Sequence, residues 1–349
     1  MEELATLADL PADYVTDINS KNLVPLWPSL RDVLPPLSPK PRTKPTLWAY
    51  KDIRGPLLKS GELTPVEKAE RRVLVLANPG LGLDNMSASP VIYLGMQLLL
   101  PGEWAPSHRH TPNAVRLIVE GDGAYTTIDG IKCPMEHGDL ILTPSGTWHE
   151  HGHDGDEPVI WLDILDLPLV YYSEATYVEP IGRQQVESTS INSPYVNGIV
   201  PVKNFVRNDA AYPILRYRWR DVKHALHTIA DNEPDAEIVQ VAYTNPENGQ
   251  PAEQIIGFSC IMLRPNETVK LVKRSCAMAF HVIDGDMKMT INNANDVQDF
   301  TMTRSDTSVA PCFAEVDLTN LSDKPCYVFV ADEAPFQQKI GVYSERERG

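Results

Sequence analysis

LLPGEWAPSHRHTPNAVRLIVEG, from Leu99 to Gly121, lies over LRPNETVKLVKRSCAMAFHVIDG, from Leu263 to Gly285, without a gap. Leu, Pro, Glu and the closing Gly coincide. Further on, GDLILTPSGTWH (Gly138 to His149) lies over SDTSVAPCFAEV (Ser305 to Val316), with Asp and Pro again in register. Self-similarity at this scale marks a repeated structural unit. The unit reads as β: VIYLGMQLLL, AVRLIVEG, AYTTIDG, DLILTP and VIWLDILDL are short β-branched runs, separated by the turn signals GE, GDG, DG and GDE. Thirty prolines and twenty glycines, against few long helical patterns, point the same way. The repeat predicts an all-β chain built as a duplicated β-barrel.

Outside the repeat the sequence is less regular. Residues 1–70 read as an N-terminal arm with short helical patterns, interrupted by the proline-rich PPLSPKPRTKP from Pro35 to Pro45. Its apolar stretches VPLWPSL and TLWAY are candidate anchors onto the barrels. The first barrel is expected over 71–172 and the second over 255–349. Between them, 173–254 is a connecting segment in which YRWRDVKHALHTIA predicts a helix joining or bracing the two halves.

A chain of 349 residues is long for one core and comfortable for two. Apolar residues at 42% and charged residues at 22% give a globular mix. The formal net charge of -16 argues against nucleic acid and anionic membranes as partners. No apolar run approaches the roughly 20 residues that a membrane span requires. The start, MEELATLADLPADY, lacks the basic and apolar regions of a secretory signal. Five cysteines, an odd number with no CxxC spacing, argue against a disulfide framework, and the chain reads as cytoplasmic.

The first copy carries an additional pattern. Gly102 is followed by five residues and then His108, Arg109 and His110, with Gly121 closing the next turn. Gly138 is followed by five residues, Pro144, one residue, Gly146, two residues and His149. This two-part spacing resembles that of the cupin barrels. Histidines at i and i+2 of a strand point to one side, and a third from a neighbouring hairpin can close a three-nitrogen face. Such a face suits iron, zinc, copper or nickel and leaves positions open for chemistry. The cupin pattern usually adds a glutamate after the histidine pair, and that slot here is Ala114. In the second copy Val272, Arg274 and Val316 stand where the first has His108, His110 and His149, so the scaffold does not require the imidazoles. The plainer alternative is that the HxH pair is simply two polar residues on a strand face. His151 is either a base or substrate contact beside the metal or a polar edge residue, and His153 is expected to face solvent. Arg109 must point away from its neighbours and reads as a salt-bridging residue.

ERRVLVLANPGL (Glu70 to Leu81), LGMQLLLPGEWAPSHRHTPNAVRLIVEGDGAYTTIDG (Leu94 to Gly130) and GDLILTPSGTWHEHGHDGDEPVIWLDILDLPLV (Gly138 to Val170) resemble the gentisate 1,2-dioxygenases and the related salicylate and 1-hydroxy-2-naphthoate dioxygenases. The resemblance is strong from about Leu23 to Leu169 and weak beyond. It implies a bicupin of two double-stranded β-helix (jelly-roll) barrels, the second metal-free, which uses Fe(II) and O2. Such enzymes open an aromatic 2-hydroxy acid between its carboxyl- and hydroxyl-bearing carbons. It also implies a homotetramer. Carried over residue by residue, the iron ligands fall on His108, His110 and His149, and the pocket contacts on Arg72, Tyr93, Gln97, Arg116, His151, Trp161 and Asp163. Arg116 would hold the substrate carboxylate through two parallel bonds. His151 would accept or return a proton, and Asp163 would accept a hydrogen bond from a ring hydroxyl.

Some positions depart from the family. Pro112 stands where glutamine is common, and Asn113 beside it is expected to reshape the pocket rim. Tyr93 favours gentisate or another 5-substituted salicylate. The rival substrates are salicylate, 5-nitrosalicylate and 1-hydroxy-2-naphthoate. The rival classes are a non-catalytic bicupin that binds a small acid, and an isomerase or hydrolase working through zinc-bound water.

Overall fold

The computed structural model describes residues 6–27, 38–193, 195, 201–202, 212–294 and 296–348. Pro28–Leu30 of the first anchor stretch and Pro35–Leu37 of the proline-rich run lie outside the described residues. The chain divides into two compact units, 1–41 and 42–349. The first carries a short helix, Ala12–Ser20. Everything below concerns the second.

Two six-stranded sheets share one plan. In the front half the order is Arg216–Tyr217, Leu140–Thr143, Ala114–Glu120, Val159–Leu165, Tyr93–Leu99, Arg72–Val75. In the rear half it is Thr46–Trp48, Thr307–Ala310, Met278–Asp284, Cys326–Asp332, Gly257–Leu263, Val239–Ala242. A second sheet closes each half into a barrel, with Trp104–His110, His149–His153, Ala124–Ile128 and Ile131–Pro134 in front. The rear counterpart is Thr268–Lys270, Glu315–Asn320, Met287–Asn293 and Asp296–Met302. Turn geometry repeats as well. Positive φ recurs at Gly102 and Asn266, Gly121 and Gly285, Gly138 and Ser305, and Gly146 and Phe313. Three of the four rear positions keep the left-handed backbone without the glycine that makes it easy.

Strand alternation sorts the side chains into two populations. Outward residues of the two large sheets, among them Leu94, Met96 and Leu98 in front and Phe258, Cys260 and Met262 behind, share one apolar core. Inward residues form two separate clusters, one holding Ile118, Ile141 and Trp161 and the other Ile261, Phe280, Val316 and Val330.

The halves are also cross-braced. Thr46–Trp48 pairs with Thr307–Val309 at the edge of the rear sheet. The helix that follows it, Tyr50–Leu63, packs on the front strands Arg72–Val75 and Tyr93–Leu99. Arg216–Tyr217 pairs at the edge of the front sheet, and its helix, Trp219–Asn232, packs on the rear strands Val239–Ala242 and Gly257–Leu263. One aspartate starts each helix. Asp139 accepts from the Trp219 N–H at 2.8 Å, and Asp306, its counterpart in the repeat, accepts from the Tyr50 N–H at 2.7 Å. An unpaired N–H at a helix start is a donor that a carboxylate satisfies well.

Candidate metal centre and substrate pocket

His108 and His110 end the strand Trp104–His110, and His149 opens the antiparallel neighbour His149–His153, directly opposite His108. The register slips between Ala105 and His108. One nitrogen from each of the three rings lies within 4.8 Å of the others. Backbone carbonyls orient the rings: His110 Nδ1 lies 2.8 Å from Pro112 O, and His149 Nδ1 lies 3.1 Å from Thr147 O. A proton on Nδ1 leaves Nε2 as the free lone pair. His149 Nε2 is buried with no hydrogen-bond partner among the described residues, an orphan that a metal would satisfy.

Burial, with Arg71 and His110 nearby, pushes His108 down to about 3. Burial likewise holds His110 at about 4 and His149 well below the ordinary imidazole value. The rings are therefore neutral at pH 7, the form that coordinates. Two of the three have one tautomer dictated by a carbonyl. His108 Nδ1 is shared between Pro106 O at 3.4 Å and an Arg71 guanidinium nitrogen at 2.5 Å.

The inward faces of the large sheet supply the rest of the pocket. Arg116 and Asp163 are register partners on adjacent strands, both buried, with Arg116 Nε 3.3 Å from Asp163 Oδ1. Trp161 Nε1 donates to the same Asp163 oxygen at 3.0 Å, and Arg116 Nη1 donates to Thr143 Oγ1 at 2.5 Å. Burial raises the Asp163 carboxyl to about 6, with Arg116, Trp161 and Arg71 opposing the shift. His151 is fully buried beside Trp161, with ring centroids 5.2 Å apart. Its Nδ1 is 3.0 Å from Thr126 Oγ1, and its Nε2 has no partner among the described residues. Gln97 faces Trp161 across the sheet, and Tyr93 lies on the same face two turns of the pleat away.

Arg72 is not among the residues brought together. It pairs with Leu98, so its side chain shares the outward face, where it bonds Glu103 and approaches Gly61 O. The inward position belongs to Arg71, whose guanidinium reaches both His108 and Pro106 O. Period-2 alternation is the reason, since Gln97 pairs with Val73 and inward residues on that strand are odd-numbered. His153 also departs from expectation. It is buried, with Nε2 donating to Glu157 O at 2.6 Å and Nδ1 accepting from the Gly155 N–H at 3.0 Å, so it pins the following turn. Arg109 points outward to Glu179 at 2.5 Å and stacks on Trp148. Asn113 ties the loop after the ligand pair to Asp166 through two bonds of 2.8 Å.

Gly95 was not singled out from sequence. A Cβ there would lie 2.5 Å from Val73 Cγ1 and 2.8 Å from the Tyr93 hydroxyl. The glycine is what leaves room for the Tyr93 phenol beside Val73.

A cupin domain model matches residues 95–165. A gentisate 1,2-dioxygenase of a Ralstonia species is 57% identical over 346 residues, which is 99% of this chain and 96% of that one. A gentisate 1,2 dioxygenase 1 of Aquipseudomonas alcaligenes is 36% identical, with 95% of each chain covered. The crystal structure of the salicylate 1,2-dioxygenase of Pseudoaminobacter salicylatoxidans in adducts with gentisate superposes with a TM-score of 0.88 at 28% identity, covering 99% of this chain and 97% of that chain. A histidine triad in the front barrel, an apolar rear barrel on the same plan and near-complete coverage of these relatives lead to one statement: the chain belongs to the gentisate 1,2-dioxygenase family of ring-cleaving bicupins.

Proposed function

We propose that this chain opens gentisate with O2, between the carboxyl- and hydroxyl-bearing carbons, and that the metal held by His108, His110 and His149 is Fe(II). The observation that carries the reading is the combination of three converging neutral imidazoles with a buried guanidinium, Arg116, in the same barrel. Bound ferrous iron supplies electron exchange between ring and dioxygen, chemistry that no side chain here offers.

The chain's own residues bind and orient the acid. Arg116 takes the carboxylate: the 3.3 Å ion contact to Asp163 gives its Nε no hydrogen bond among the described residues, and a planar fork suits two oxygens. Arg71 adds a second positive charge, balancing an acid that enters a strongly acidic protein. His151, neutral because it is buried, offers Nε2 to the phenol proton while Thr126 steadies Nδ1. Trp161 holds Asp163 so that its carboxylate can meet a ring hydroxyl. Gln97 and Tyr93 line the side facing the 5-substituent, and the room that Gly95 leaves for the Tyr93 phenol favours a substrate with a hydroxyl there. All five cysteines are free, which suits a reducing cytoplasm, and among the described residues no helix is long and apolar enough to cross a membrane. The same reading carries the homotetramer, to be checked by light scattering.

The test is oxygen uptake by protein reconstituted anaerobically with Fe(II), against gentisate, salicylate, 5-nitrosalicylate and 1-hydroxy-2-naphthoate. One O2 consumed per ring, fastest with gentisate, is the expected result. Absence of uptake with all four acids would reject the reading. Activity retained with Zn(II) in place of iron would reject the assigned metal.

A further inference from the structure

The rear barrel has a cavity of its own at the position that corresponds to the front site. Strand register fixes the equivalence: Asp163 is paired with Gly95 and Arg116, and Val330 with Ser259 and Phe280. A cavity of about 190 Å³ opens there, lined by Ser259, Ile261, Val330 and Met278, with Val272 and Arg274 at its mouth. These stand for Gly95, Gln97, Asp163, Ala114, His108 and His110 respectively. The barrel thus put Ile261, Met278 and Val330 on the inner wall without filling the space, while Gln240, Glu237 and Asp332 keep polar groups on the rest of the lining. Phe280, in the place of Arg116, is buried in the apolar cluster of that barrel.

Charged groups were gained around it: Arg274, Lys270 and Asp332 stand where the front half has His110, Pro106 and Leu165. Arg274 extends from the strand Lys273–Arg274, its side chain 28% exposed. Its one ion partner among the described residues is Asp332, at 3.5 Å, which also lines the cavity. The other Asp332 oxygen is occupied by the Ala334 N–H at 2.9 Å, so the aspartate is anchored independently of the arginine. A guanidinium has five donors, and a single loose contact leaves most of them free toward the cavity mouth. Lys270 adds a second cation at the rim. A cavity of about 150 Å³ with apolar walls is enough for benzene, so this one has room for a single aromatic ring with its polar group directed outward.

We infer that the rear barrel binds a one-ring aromatic carboxylate without any metal, the ring against Ile261, Val330 and Met278 and the carboxylate on Arg274. Val272, 48% exposed, forms the lip over which the ligand enters. Such a site gives each chain two places for one class of molecule, only one of which can change it chemically.

The experiment is fluorine NMR titration of iron-loaded, oxygen-free protein with 4-fluorobenzoate, repeated on His108→Ala, Arg274→Gln and Val272→Trp. A site that survives in His108→Ala is expected, weakened about tenfold or more in both Arg274→Gln and Val272→Trp, with ring-opening turnover unchanged in the last two. Val272→Trp blocks the mouth from an exposed position, so it tests the cavity without disturbing the core, while Arg274→Gln tests the anchor. Retention of that site at full affinity in either variant overturns the inference. So does a 4-fluorobenzoate signal that disappears in His108→Ala, because all binding would then belong to the front barrel.

Discussion

The two barrels follow one backbone plan and have opposite interiors. Where the front has Arg116, the rear has Phe280; Asp163 answers to Val330, Gln97 to Ile261, His149 to Val316 and His151 to Leu318. Thr126, which steadies His151, answers to Met289. The rear interior is a cluster of aliphatic, methionine and aromatic side chains, with the cavity at its edge. Fold and polar interior are therefore separable. Placing an arginine, an aspartate and four histidines on the inner faces makes no fold, and ion pairs of this kind often contribute less to stability than apolar residues of similar volume. On the function proposed above, the front barrel retains them for a metal and an acid, and the rear barrel shows how the same strands pack without that demand.

Several substitutions would break this contrast if it is wrong, and the most severe is His149→Ala. The other two rings alone cannot close a three-nitrogen face, so metal content measured by atomic absorption and turnover are expected to vanish together. Iron retained at wild-type stoichiometry would mean that the metal lies elsewhere. Next in size is a reciprocal exchange. Phe280→Arg buries an unpaired charge and is expected to destabilise the protein by about 3–5 kcal/mol. Arg116→Phe should abolish turnover while lowering the melting temperature far less. Equal melting temperatures for the two variants would erase the distinction between the barrels.

Smaller effects sharpen the comparison. Gly95→Ala introduces a methyl group into the space used by Val73 and the Tyr93 hydroxyl. Iron binding should survive, and kcat/KM for gentisate should fall about tenfold, as expected when a substrate is displaced slightly from its productive pose. An unaltered kcat/KM would remove Tyr93 from the pocket. The mildest test concerns Glu333 of the rear half, which bonds Ser89 of the front half and is raised by burial from 4.5 to about 7. The native state holds that proton more tightly than the unfolded chain. Its contribution is thus complete below about pH 4.5 and is lost as pH rises through about 7. Glu333→Gln should flatten the stability profile across that window in urea titrations. A profile identical to wild type would show that the carboxyl does not respond to burial.

Much of this was legible in the chain. The overlay of Leu99–Gly121 on Leu263–Gly285 predicts the duplication, and the structure repeats it down to the sign of φ at four turns. The histidine spacing works because strand pitch and barrel closure leave little freedom in where i, i+2 and the next hairpin point. What could not be read has physical causes. Arg71 and Arg72 differ only in strand phase, and phase is set by where the strand begins, after the left-handed Glu70 at φ 53°. The edge strands Thr46–Trp48 and Arg216–Tyr217 span three residues and two, too short for any periodicity. His153 looked like an outward residue because the turn that accepts its imidazole, through Gly155 and Glu157, has no hydrophobic pattern of its own.

The exchange of braces between the halves bears on how such a chain can be made. An amide at Tyr50 must wait for a carboxylate 256 residues later, and the early edge strand finds its sheet only when Thr307–Ala310 has emerged. Contacts of that span slow folding and leave the first-synthesised edge exposed throughout translation. A gene cut between the barrels would give two fragments, each lacking a strand that travels with the other. The duplication thus no longer consists of parts that separate cleanly, since a barrel moved alone would leave behind the edge strand that the other half supplies.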